Sequence, residues 1–537
     1  MTSEQKNTVT CTINGRQVEV PKGTRIIEAA EQVGVAIPHY CYHPGLSAPA
    51  MCRMCLVEVE GMPKLQPACV TQVADGQVIN TESPKAREAR TGVLEFYLIN
   101  HPLDCPICDQ SGECKLQDYV AAEGLKHGRF QEQKRVFGRD DFGGDILYEG
   151  SRCIMCTRCV RFMREIAGQD ALCVVQRGHR SVIDTFFDHG LGDSNWAGNI
   201  VDICPVGALI SKDFLHKARA WDLDHTPSIC PNCSQGCNIR IDTRDNLVMR
   251  LKPRPNPETN SYWMCDYGRH RYEWLNRTDR LDTPMMRGES GELVAVGWQD
   301  AAVALVSRLR ARAWRGPVLA VASPFHANED VGLLARLASV LGGGEAVYRS
   351  ARAEDEDVCP GYPRLARRRD LAANVRGIDL FGFSRVGDDE GRGGLPEATA
   401  GSVLLVLGDE LVDAPADFGK DADLFVYIGP YASAAARNAH FVLPVTTFAE
   451  QEGTFTNHEG RIQRFWPALM PPPLARPGWQ VLGTILAGLG DGAAPASAAD
   501  AFLRLAELHD ELGGLSYPAL GTRGALINEP VKLTAGE

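Results

Sequence analysis

His101-Pro102-Leu103-Asp104-Cys105-Pro106-Ile107-Cys108-Asp109-Gln110-Ser111-Gly112-Glu113-Cys114 decides how the first half of this chain is read. Its three cysteines, spaced Cys-x2-Cys-x5-Cys, lack a fourth partner of their own kind. His101 stands four residues before the first of them. A lone histidine before proline is ordinarily a helix-end or surface residue. Here it completes a set of one imidazole and three thiolates, which suits either a zinc ion or an iron–sulfur cluster. Imidazole is a neutral donor, so a cluster held this way carries less negative charge than an all-thiolate one. Its potential should be higher.

Three more sets lie around this one. Upstream are Cys41, Cys52, Cys55 and Cys69, spaced C-x10-C-x2-C-x13-C. Pro44, Gly45, Ser47 and Pro49 in the first loop leave backbone N–H groups free to point at sulfur, which tunes a cluster. Downstream, Cys153-x2-Cys156-x2-Cys159 begins like a bacterial ferredoxin run, and Cys204-Pro205 looks like the end of a second run. The positions that would hold a second cluster are Met163, Ser194, Ala197 and Ile200, so this segment keeps one [4Fe–4S]. The last set is Cys230, Cys233, Cys237 and Cys265, spaced C-x2-C-x3-C-x27-C, a poor fit to the paired C-x2-C of a zinc ribbon. Cys11, Cys173 and Cys359 remain outside. Cys173 reads as a small buried residue, and Cys359, among acidic neighbours, as exposed.

The totals agree with thiolate-bound metal. Of 18 cysteines in 537 residues, all but Cys359 precede residue 266. A large chain with a polar N-terminus and no signal-peptide core is not a disulfide scaffold. The net charge of −12 argues against nucleic acid and against broad binding to anionic lipid. No apolar run reaches the roughly 18 residues of a membrane span.

Alternation on both sides of Asn14-Gly15 predicts a hairpin over 8–20. A helix follows with Thr24 as N-cap and Ile26, Ile27, Ala30 and Val33 on its apolar face, stopped by Gly34. Residues 55–60 alternate as a strand. Ser83-Pro84 opens a second helix that ends before His101. Beyond residue 286, apolar runs at 318–323, 403–408 and 424–429 accompany helical patterns at 300–309 and 333–341. They predict a mostly parallel sheet covered on both faces. Residues 383–401 read as a surface loop, and the stretch from 491 as a partly mobile tail.

The hairpin, helix and cysteine loop resemble a plant-type [2Fe–2S] ferredoxin with a lengthened first gap. The fourth set followed by α/β sequence resembles the N-terminal [4Fe–4S] domain of molybdopterin oxidoreductases, as do segments 298–302, 403–408 and 452–461 (EGTFTNHEGR). All four sets in this order resemble the large peripheral-arm iron–sulfur subunit of respiratory complex I, over about residues 8–470. The resemblance implies a multidomain α/β and α+β chain. Its parts are a β-grasp [2Fe–2S] ferredoxin domain (1–83), a [4Fe–4S] segment with one His and three Cys (84–124), and a bacterial-ferredoxin-like [4Fe–4S] domain (125–222). A [4Fe–4S] domain of molybdopterin-oxidoreductase type (223–285), a reduced molybdopterin-oxidoreductase-like α/β domain (286–490) and a tail (491–537) complete it. It implies one [2Fe–2S] and three [4Fe–4S] clusters, with the fourth set off the electron path and present in only some members. No molybdopterin is expected, because Cys359 is a poor metal ligand and 330–400 is too short for a full pterin domain.

The partners implied are a flavin-bearing NADH-oxidising subunit with its [2Fe–2S] companion, a two-cluster ferredoxin-like subunit and other peripheral-arm subunits. Membrane contact comes only through them, on the cytoplasmic side of a bacterial inner membrane. No strand–GxGxxG–helix fingerprint for NADH is present, so the chain is an enzyme subunit with no catalytic residue of its own. Two readings compete. One is the iron–sulfur subunit of a soluble NAD-dependent formate dehydrogenase or hydrogenase. The other is a structural zinc protein.

Overall fold

A computed structural model describes residues 7–185, 190–311 and 314–527. The polar stretch 1–6 and the last ten residues of the tail lie outside them. The chain divides into two compact units, Met1–Leu223 with Cys359–Tyr362, and Asp224–Val358 with Pro363–Glu537.

The first unit opens with strands β1 (Thr8–Ile13) and β2 (Arg16–Pro21). They pair antiparallel across Asn14 and Gly15, whose φ values of 48° and 79° suit the tight turn. Helix α1 (Ile26–Gln32) starts one residue later than the expected Thr24 cap allows. Arg25 is at the cap position, and its N–H donates to the Glu28 carboxylate at 3.0 Å. The Thr24 hydroxyl instead donates to the Pro21 carbonyl. Strands β3 (Leu56–Val59), β4 (Gln66–Pro67) and β5 (Val78–Asn80) complete a sheet in the order β2-β1-β5-β3-β4, with β1 and β5 parallel. Ile26, Ile27, Ala29 and Ala30 pack with Ile13, Val20, Val57 and Val59 in its core. This is the β-grasp arrangement expected.

Helix α2 (Pro84–Asn100) is capped by Ser83, whose Oγ accepts from the Ala86 N–H at 3.2 Å. It ends where Pro102 forces His101 into extended backbone, with ψ of 127°. Then come α3 (Lys115–Glu123), β6 (Arg139–Gly143), β7 (Ile146–Glu149), α4 (Arg158–Glu165), β8 (Cys173–Val175), β9 (Val182–Asp184), α5 (Asn199–Ile203) and β10 (Leu209–Ser211). These are short elements joined by cysteine loops. Met163, Ala197 and Ile200, standing where a second cluster would need ligands, are all buried, so side-chain packing fills that end of the segment.

The second unit begins with a three-stranded sheet, β11 (Asp224–Ile229), β12 (Asn238–Arg244) and β13 (Leu247–Pro253), followed by α6 (Asp266–His270). Its main body contains β14 (Met285–Arg287), β15 (Leu293–Ala295), α7 (Trp298–Ala311), β16 (Val318–Ala322), α8 (Asn328–Val340) and β17 (Ala346–Arg349). Next are β18 (Asp357–Val358), β19 (Ala366–Arg367), α9 (Val375–Leu380), β20 (Ser384–Val386), β21 (Val403–Leu407), β22 (Leu424–Gly429) and β23 (Phe441–Pro444). An eight-stranded sheet runs β15-β14-β23-β22-β21-β16-β17-β20, parallel from β23 to β20. Along β21, Val403, Leu405 and Leu407 enter one core while Leu404 and Val406 enter the other, as a sheet covered on both faces requires.

Two expectations change here. Residues 383–401 contribute β20, the edge strand of the sheet, and are a loop only beyond it. The stretch after 491 is no loose tail as far as residue 527. After β24 (Gly453–Thr456), β25 (Arg461–Phe465) and α10 (Gly478–Leu489), it forms α11 (Ala498–Leu508), α12 (Tyr517–Leu520) and β26 (Ala525–Leu526). Phe502, Leu505 and Tyr517 are buried in the main core.

Candidate iron–sulfur sites

The first site is built on the loops flanking β3. Cys41, Cys52, Cys55 and Cys69 are all buried. Side-chain hydrogen bonds join Cys41 to Cys52 and Cys55 to Cys69, so the four thiols meet as two pairs. The hydrogen bond from Cys52 holds the Cys41 thiol well below the usual range, helped by the Cys52 and Met51 backbone N–H groups and by Arg161. Cys52 rises through the same contact. Ala50 and Arg53 take positive φ, at 54° and 57°, which bends the loop around Cys52.

At the second site, Cys108 and Cys114 are buried, Cys105 is exposed and His101 is half-buried at the end of α2. The His101 Nδ1 is shielded from solvent and has no hydrogen-bond partner. Burial pushes its pKa down to about 4, so the ring is neutral and able to donate an electron pair. A buried imidazole nitrogen with no partner of its own fits a metal-ligating role. Asp104 accepts from Arg152 Nε at 3.0 Å, and Arg219 Nη1 donates to the Cys108 carbonyl at 2.7 Å. A Cβ on Gly207 would lie 2.2 Å from Cys108 Sγ, so only glycine lets that sulfur sit there.

At the third site, Cys153, Cys156, Cys159 and Cys204 together line one small cavity of about 20 Å³, with Ile183 and Leu209 among its apolar walls. Met155 and Thr157 have φ of 54° and 58°, the left-handed turns that wind the Cys-x2-Cys-x2-Cys loop. Burial pushes the Cys156 thiol up to about 11 and Cys204 to about 12. Thiols so shielded would ionise only beside compensating positive charge, such as a bound metal.

The fourth site belongs to the second unit. Cys230 follows β11, Cys233 and Cys237 share the turn into β12, and Cys265 caps α6. All four are buried, and the Cys230 N–H donates to the Cys237 carbonyl at 2.8 Å. A Cβ on Gly268 would lie 3.0 Å from Cys230 Sγ and 3.5 Å from Cys265 Sγ, so these two sulfurs converge on one glycine. The Gly268 N–H donates to Cys265 Sγ at 3.3 Å. Burial pushes Cys230 up to about 12. Among the described residues, no three His, Cys, Asp or Glu side chains are grouped at the spacing of a single bound ion. A cluster, with its irons apart, holds its ligand atoms further from one another.

Of the cysteines read as non-ligands, Cys11 is buried in the β-grasp core. Cys173 is half-exposed on β8, not fully buried as expected. Cys359 is the clearer correction. It is fully buried in the first unit, with Sγ 3.5 Å from the Ile166 carbonyl.

A cavity of about 420 Å³ opens beyond the carboxyl ends of the parallel strands. Strand order reverses direction there, β16 leading outward to β17 and β20 while β21 leads to β22 and β23, the usual ligand crevice of such sheets. Glu390, Asp409 and Glu410 line it, and Arg349 in its wall is paired with Asp409 and Asp413. Sequence reading missed this crevice, because residues from strand ends far apart in the chain form it.

Five segments of the chain match known families. Residues 6–84 match a 2Fe-2S iron-sulfur cluster binding domain, and 90–129 match the NADH-ubiquinone oxidoreductase-G iron-sulfur binding region. Residues 143–210 match the ferredoxin-like domain of NADH-quinone oxidoreductase subunit 3. Residues 223–277 match the molybdopterin oxidoreductase Fe4S4 domain, and 391–487 molybdopterin oxidoreductase itself. The chain is 45% identical over 300 residues to the G subunit of NADH-quinone oxidoreductase from Rickettsia bellii, covering 56% of this chain and 44% of that one. It is 38% identical over 427 residues to the Streptomyces coelicolor protein of the same name, covering 76% and 48%. It is 44% identical over 330 residues to the mitochondrial NADH dehydrogenase [ubiquinone] iron-sulfur protein 1 of Solanum tuberosum, covering 62% and 44%. The chain thus spans about half the length of the curated relatives it matches. A solved NAD+-reducing [NiFe]-hydrogenase is similar over 39% of this chain and 90% of its own, at 30% identity, but its TM-score of 0.36 carries no argument.

Proposed function

Because the chain is a relative of the large, 75 kDa-type iron–sulfur subunit of NADH:quinone oxidoreductase, we propose that it conducts electrons inside that complex, from a flavin subunit toward the quinone site. Clusters bound at the four sites would supply one-electron redox chemistry. Cys41, Cys52, Cys55 and Cys69 would hold a [2Fe–2S]. His101 with Cys105, Cys108 and Cys114 would hold one [4Fe–4S], Cys153, Cys156, Cys159 and Cys204 a second, and Cys230, Cys233, Cys237 and Cys265 a third. The observation that carries this reading is the small cavity that Cys153, Cys156, Cys159 and Cys204 line together.

The chain's own residues keep the sites dry and close together. Arg161 and Arg158 on α4 donate to backbone carbonyls of the first-site loop. Arg152, next to Cys153, holds Asp104 of the second-site loop, and the Lys115 N–H donates to the Pro205 carbonyl at 3.0 Å. These contacts support the order first, third, second for electron passage. Leu103 and Ile107, 86% and 65% exposed beside Cys105, support the second site as the exit toward a ferredoxin-like partner. Among the described residues no helix is long and apolar enough to cross a membrane, so attachment would come through partners.

The crevice of the second unit does not fit a molybdenum pterin. Cys359, the cysteine that would have to hold the metal, is packed in the first unit. That supports a scaffold role for this sheet.

Iron analysis with EPR on the anaerobically purified complex tests the reading. The chain should contribute about fourteen irons, two from one [2Fe–2S] and twelve from three [4Fe–4S] clusters. Stoichiometric zinc with no signal on reduction would sink it.

A further inference from the structure

Three side chains on one face of α4, at positions 158, 161 and 165, reach across to the loop that carries the first site's ligands. Arg161 Nη2 donates to the Cys41 carbonyl at 2.5 Å and to the Cys156 carbonyl at 3.4 Å, and its Nη1 donates to Ser47. One guanidinium therefore holds a ligand residue of each site. Arg158 repeats the pattern, its Nη1 donating to the Ile203 carbonyl beside Cys204 at 3.0 Å and its Nη2 to the Tyr42 carbonyl beside Cys41. Glu165 secures the far end, accepting from the Ser47 N–H at 2.9 Å and hydroxyl at 2.5 Å.

Fixing a loop does not by itself call for arginine, since a neutral donor could satisfy the same carbonyls. Arg158 is only 8% exposed, and its Nε is buried without a hydrogen-bond partner. A cation kept in so dry a place costs stability unless negative charge lies near. The neighbours are the thiolate ligands of two sites, and each site becomes one charge more negative when reduced.

We propose that Arg158 and Arg161 are positioning residues that dock the loop of residues 41–52 onto the third site and raise the reduction potentials of the groups held at both. This rests on the cluster assignment above. The fork of each guanidinium sets the approach of the two ligand loops. Its charge, acting through a weakly screening interior, favours the reduced state at either side.

Redox titration followed by EPR, on the intact complex carrying Arg161→Gln or Arg158→Gln, tests this. At a fixed ambient potential the reduced-to-oxidised ratio should fall about tenfold, equal to about 59 mV for one electron. Arg161→Gln should act chiefly on the first site and Arg158→Gln on the third, with the second site's potential unmoved. Arg161→Lys should restore the ratio, because it keeps the charge. Normal signals with unmoved potentials overturn the inference alone. Wild-type complex lacking signals from the first and third sites overturns the cluster assignment and the inference with it. Should a Gln variant lose a signal, Glu165→Gln decides. It removes a negative charge from the same clamp and keeps an acceptor for Ser47, so the first-site potential should rise, and no change overturns the proposal.

Discussion

Glu329 is a fully buried carboxyl outside the cysteine sites. It sits in α8 with no exposed surface, next to an equally buried Asp330. The Tyr517 hydroxyl donates to it at 3.0 Å, and Thr454 donates its hydroxyl at 2.8 Å and its N–H at 3.0 Å. Burial, with a smaller push from Asp330, moves its pKa from 4.5 up to about 7 against those hydrogen bonds. The folded state therefore keeps a proton that the unfolded chain has released. Its stability contribution is complete below pH 4.5 and is lost as pH rises through about 7. Denaturant melts from pH 4.5 to 7.5 should show stability falling with pH, and Glu329→Gln should flatten that slope. An unchanged slope would place the titration elsewhere. No local sequence signal marks Glu329, because its partners lie 125 and 188 positions away.

Among elements, the turn after Cys204 joins two sites. Lys115 and Pro205 bond through their backbones, and Gly207 lies against Cys108. Sequence reading took Cys204-Pro205-Val206-Gly207 only as the end of the third set. Its second role, making room for a ligand of another set, depends on a close approach that spacing cannot express. Gly207→Ala would force the new methyl into Cys108 Sγ, at a separation of 2.2 Å, where neither backbone nor ligand can yield freely. The expected outcome is loss or distortion of the second site's EPR signal, with the first site's [2Fe–2S] signal retained. Helix α4 shows the converse. Its cysteine is legible from spacing, but nothing in the spacing marks Arg158, Arg161 and Glu165 as partners of the first-site loop.

At the scale of the whole molecule, α11 and α12 change what the second unit is made of. Leu505 is fully buried, and a Cβ on Gly332 of α8 would lie 2.6 Å from Leu505 Cδ1, so the two helices meet closely. Leu505→Ala should destabilise the unit by about 2–5 kcal/mol, read as a lower denaturation midpoint, whereas a dispensable tail would show no change. The Ala-, Gly- and Pro-rich composition concealed this, because α11 buries much of its apolar stripe against α8, far back in the chain. The sequence alone marked the four cysteine sets proposed as ligands, the hairpin, the Ser83 cap and the buried parallel strands. The elements depend on residues a few positions apart, where spacing and side-chain chemistry dictate local geometry, and each cysteine set is anchored by a Cys-x2-Cys pair. Tertiary structure alone decided that the third site touches both others, that arginines lie between cysteine loops, that Cys359 is buried and that residues 498–520 join the core. Those follow from which surfaces meet, and burial, desolvation and close approach take their values only once distant segments are packed together.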